Sequence, residues 1–76
     1  MEASMESIQK IVDEHQADEL RWPDGETLHV DAFTASMLVK VREKLRPDQQ
    51  EKVDQLIAKS QAHFLKVVDT AWEAVS

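Results

Sequence analysis

Three histidines, His15, His29 and His63, are the side chains of this 76-residue chain best suited to metal or acid–base chemistry. His15 and Glu19 stand four apart, so on a continuous helix they share a face. Glu14 and Asp18 beside them would draw a divalent cation. The set falls short of a ligand pattern, because no second histidine stands at i+4 and neither HExxH nor a calcium-loop spacing occurs. No metal and no cofactor are expected; His15 reads as the boundary of an apolar stripe and His63 as a helix flank. The hydroxyls of Thr34, Ser36, Ser60 and Thr70 lie in no nucleophile-elbow setting, and the sequence puts no histidine beside them. Ser36 and Ser60 read as small residues at close helix approaches. Paired carboxylates abound, but acid–base work needs a pocket that separates their pKa values. Three short packing units leave little room for one, so no enzyme is expected.

Composition narrows the chemistry further. No cysteine is present, which excludes disulfides, thiolate nucleophiles and the common zinc sites. One glycine excludes a glycine-rich phosphate loop. Met1-Glu2 begins no signal peptide and no apolar run approaches about 18 residues, so a cytoplasmic location without a membrane span is expected. The net charge of −6 argues against binding nucleic acid by phosphate neutralisation. Lys40, Arg42, Lys44 and Arg46 form only a small basic group at the end of a helix.

The acidity is local. Residues 1–31 hold nine acids against two bases, a net of −7, whereas residues 32–76 hold six acids against seven bases, a net of +1. Asp13, Glu14, Asp18 and Glu19 crowd the end of the first helical segment, where the helix dipole favours cations. Pairing with Arg21, Arg42, Lys44 or Arg46, or with a basic patch on a partner, would offset them. Together with Asp24, Glu26 and the tryptophan Trp22, they form the expected partner-binding surface, with Trp22 either core or an exposed anchor.

Two turn signals set the elements. Trp22-Pro23-Asp24-Gly25 combines a preset φ, an Asx acceptor and a glycine. Pro47 stops one helix and starts another. Before the first signal, Met5, Ile8, Val12 and His15, with Ile11, predict a helix over about 4–20, capped by Ser4. Residues 21–31 read as an ordered loop burying Leu28 and Val30, since the alternating Glu26–Val30 has no visible partner strand. Asp31 caps a helix over about 32–45 with Phe33, Met37, Val41 and Leu45 in its stripe. A third helix over about 47–75 carries Val53, Leu56, Ile57, Ser60, Phe64, Val67, Val68, Ala71 and Val75, and Asp48 would pair with Lys52. Phe33 and Phe64 are expected in the core. The sum is an all-α domain spanning 1–76, with helices 2 and 3 as a hairpin.

That third helix would run about 43 Å at about 1.5 Å per residue. A domain this small has a radius of gyration near 11 Å. The rod must therefore kink, with Lys59-Ser60-Gln61 its weakest apolar point, or pack on something else. An offset strip of Leu65, Val68 and Trp72 then suggests a homodimer interface. The expected function is a small, acidic, non-enzymatic protein-interaction module, an inhibitor or adaptor of the kind that phage-encoded antagonists represent by analogy. Two alternatives stand beside it: a small ligand or metal held at a dimer cleft near the histidines, and a structural assembly subunit.

Overall fold

A computed structural model describes residues 1–75. The order is α1 (Met5–Glu14), β1 (Asp18–Arg21), β2 (Thr27–Val30), α2 (Ala32–Glu43), α3 (Pro47–Lys59) and α4 (Gln61–Val75). The chain is thus mostly helical, with one small antiparallel sheet rather than helices alone.

α1 begins where expected, with the Ser4 hydroxyl accepting from the Ser7 N–H at 3.1 Å. It ends well short of residue 20, because His15 adopts the left-handed conformation (φ 51°). The His15 N–H then donates to the Val12 carbonyl and the Gln16 N–H to that of Ile11, a Schellman closure normally built on glycine. Ile8 and Ile11 are buried, while His15 is exposed.

The freed segment, expected as helix tail and loop, forms a hairpin. Leu20 pairs with Leu28, and Asp18 with Val30, across an antiparallel register. Trp22 and Glu26 close a three-residue loop in which the Gly25 N–H donates to the Trp22 carbonyl and Gly25 takes φ 89°. β1 also pairs on its other side with the backbone of residues 1–3, through Ala3 N–H to the Arg21 carbonyl and Arg21 N–H to that of Met1.

Asp31 caps α2 as its type predicts, accepting from the Thr34 N–H at 2.7 Å. The single long third helix is two helices. Ser60 is extended (φ −164°, ψ 163°). Its carbonyl takes the Phe64 N–H and its hydroxyl the His63 N–H, so it is the N-cap of α4. At about 20 and 22 Å, α3 and α4 fit a molecule of 30 × 25 × 20 Å. The length mismatch that called for a second chain does not arise.

The core runs from Ile8, Ile11 and Leu20 through Ala35, Leu38 and Ile57 to Phe64 and Ala71. Trp22 lies at its centre, 2% exposed, tilted against Phe64 at 5.6 Å. Its indole N–H donates to the Ile57 carbonyl at 2.9 Å. That carbonyl is among the last four of α3, which have no partner within the helix.

Candidate functional site

The expected acidic surface is real in one respect and altered in another. Asp13 and Glu14 end α1, Asp18 and Glu19 lie on β1, Asp24 and Glu26 flank the turn, and all six are exposed. Glu19 stands opposite His29 on the hairpin. Among the described residues, no ion pair neutralises any of the six, since the only two bridges join Arg42 to Asp54 and Arg46 to Asp48. Asp48 therefore faces Arg46, at 3.7 Å, and not the expected Lys52. Trp22 does not join the acids at the surface; as the donor that caps α3, it is unavailable as an anchor.

Two of the bases expected to offset those acids, Arg42 and Arg46, are engaged elsewhere. Arg42 grips Asp54 through Nε at 2.7 Å and Nη2 at 2.8 Å. This bidentate bond holds the guanidinium above its already high ordinary value. The Gln50 amide donates to the Arg42 carbonyl at 2.9 Å, tying α3 to the end of α2.

Phe33 is not core. It is 73% exposed and stacks on Trp72, with ring centroids 5.6 Å apart and an interplanar angle of 26°. Its helix face is not the cause, since Met37, one turn on, is 6% exposed; Phe33 lies in the first turn of α2, at the end of that stripe. Leu65 is 43% exposed, and Val68 and Trp72 are half-buried. The proposed interface strip thus lies along one flank of α4.

The opposite flank of α4 holds a feature that single-helix periodicity missed. Between α2, α3 and α4 runs a groove of about 560 Å³. Leu38 and Val41 of α2 and Leu45, just past its end, line it; Val53 and Leu56 of α3 form one wall, and Val67, Ala71 and Ala74 of α4 the other. Lys52 projects from the α3 wall, and Lys66 and His63 from the α4 wall. All 15 Asp and Glu side chains lie among the described residues, and none of them lines this groove. Because Ser60 lets α4 turn away from α3, residues that would share one helix face become two walls.

One contact resembles catalytic chemistry. The Ser60 hydroxyl lies 2.6 Å from Nδ1 of His63, a neighbour the sequence spacing did not bring out. The same hydroxyl accepts the His63 backbone N–H at 3.2 Å. The Ser60 hydroxyl thus caps α4 and touches the ring of the same residue whose N–H it accepts. The three histidines sit on three different parts of the fold, and among the described residues no three His, Asp or Glu side chains are grouped to hold a metal. No described helix is long and apolar enough to cross a membrane. Comparison with protein families, curated proteins and solved structures gives no match.

Proposed function

We propose that this chain is a non-catalytic protein-interaction module, an adaptor or inhibitor, that docks a partner in the groove between α2, α3 and α4. The observation that carries the reading is the groove: apolar side chains from three helices left open to solvent. Burying such surface is the main source of docking free energy. The exposed carboxylates from Asp13 to Glu26 contribute at a distance. Held in no ion pair among the described residues, they favour partners whose surface near the α1–hairpin end is basic, and repel others.

Affinity capture from host extract with the full chain tests this, at low and at high salt. Leu56→Glu, on the groove wall and 36% exposed, is expected to lose the partner. Asp13→Asn with Glu14→Gln, Asp18→Asn and Glu19→Gln is expected to weaken capture chiefly at low salt, where steering is unscreened. Partner capture indifferent to Leu56→Glu refutes the groove as the docking surface. Unchanged capture and salt dependence in the quadruple variant refutes the role of the acidic face.

A second reading has its own observation. The exposed Phe33–Trp72 stack, with Leu65 and Val68 alongside, favours a pairing of two copies of the chain through this flank of α4.

A further inference from the structure

We infer that the occupant of the groove is an acidic amphipathic helix of a partner protein, its apolar stripe on the groove floor and its carboxylates against Lys52 and Lys66. The inference rests on the groove being the docking surface and adds the chemistry of what it takes.

Shape comes first. The lining residues span two turns of α3, from Gln49 to Leu56, about 10 Å, and three turns of α4, from His63 to Ala74, about 16 Å. A three-helix trough of that length matches about three turns of a fourth helix, which presents apolar residues at i, i+3, i+4 and i+7.

Charge selects the helix. Lys52 and Lys66 stand on opposite walls and are both exposed. Among the described residues, neither has a carboxylate within 4.0 Å. Arg42 adds little, because Asp54 already neutralises it. A helix in the groove therefore meets an unpaired cation on each side of its apolar stripe. Acidic residues flanking that stripe complete two pairs, and basic ones meet like charge. A second copy of the groove is disfavoured on the same ground, since it would oppose lysine rim to lysine rim.

Two fluorescent peptides of about 15 residues, a length at which helix becomes appreciable, test the inference on the full chain. Both carry the same leucine stripe; glutamates flank it in one and lysines in the other. Laurate, an anionic chain with no helix, serves as competitor. The glutamate peptide is expected to bind about tenfold or more tightly than the lysine peptide. Added salt should narrow that margin, and amide shifts should fall on Val53, Leu56, Lys66 and Val67. Lys52→Glu with Lys66→Glu is expected to reverse the preference. Lys52→Gln with Lys66→Gln, which adds no opposing charge and is the gentler change for folding, should abolish it.

Equal affinities, a preference for the lysine peptide, no binding of either, or shifts confined to Leu65 and Trp72 each overturn the inference. So does displacement by equimolar laurate, which assigns the groove to a lipid anion. If neither peptide binds while capture from extract still depends on Leu56, only the helix chemistry falls. If capture is indifferent to Leu56 as well, the interaction-module reading falls with it.

Discussion

Trp22 shows how much one side chain can settle. A tryptophan before a turn could serve a partner or its own core, and the deciding fact is an orphan carbonyl 35 residues away. The end of α3 needs a donor at Ile57, and the indole N–H supplies it inside the core. Trp22→Phe keeps most of the apolar contact but leaves that carbonyl without its donor, and is expected to lower unfolding stability by about 1–3 kcal/mol in urea titration. Asp31 is the second residue with a defined consequence. Its carboxyl lies below the ordinary 3.8, chiefly because the Thr34 backbone N–H donates to it, then through the Thr34 hydroxyl, with His29 adding attraction. A lowered carboxylate stabilises the fold fully above the unfolded value and loses that contribution as pH falls through the folded one. Wild type is therefore expected to exceed Asp31→Asn, which keeps a competent cap, in urea midpoint at neutral pH. The gap should close below pH 3.8, and a gap constant with pH would refute the assignment.

At the scale of elements, the chain breaks where two caps meet. Ser60 supplies the first turn of α4 with a hydroxyl and a carbonyl, while Trp22 closes the last turn of α3. Ser60→Ala removes the hydroxyl and is expected to cost about 1 kcal/mol, read as a lower midpoint with near-native helical signal. A rise in stability would mean that one continuous helix is the better state. The weak point at Lys59-Ser60-Gln61 was legible from the apolar stripe, as were the Ser4 and Asp31 caps and the Trp22–Gly25 turn. The hairpin was not. Asp18-Glu19-Leu20-Arg21 carries three charges and one apolar residue, so nothing in its pattern says strand. Its pairing is fixed from outside, by β2 on one edge and residues 1–3 on the other. The end of α1 was hidden for a related reason, because His15 does what glycine usually does. The groove escaped because its walls are separate helices, and their relative direction is set by a cap rather than by periodicity.

For the whole molecule, surface area decides between its two apolar faces. The described residues expose 5085 Å², against about 4,700 Å² for a monomer of this mass. The surplus, about 400 Å², is half of the roughly 800 Å² that each partner contributes to a standard interface. A surplus of that size favours a short docked helix over an obligate pair of chains. The rod that seemed to demand a companion is also gone, since both of its halves fit within 30 Å. Any pairing through Phe33, Leu65 and Trp72 should accordingly be weak. Sedimentation over a micromolar concentration series is expected to give 8.7 kDa at the low end, with a gradual rise at the high end that Leu65→Glu abolishes. Because Leu65 lies on the flank of α4 away from the groove, the same variant should leave binding of the glutamate peptide unchanged. A dimer that persists on dilution would overturn the area argument, and a Leu65→Glu chain unable to bind the peptide would show that the two faces of α4 are one surface.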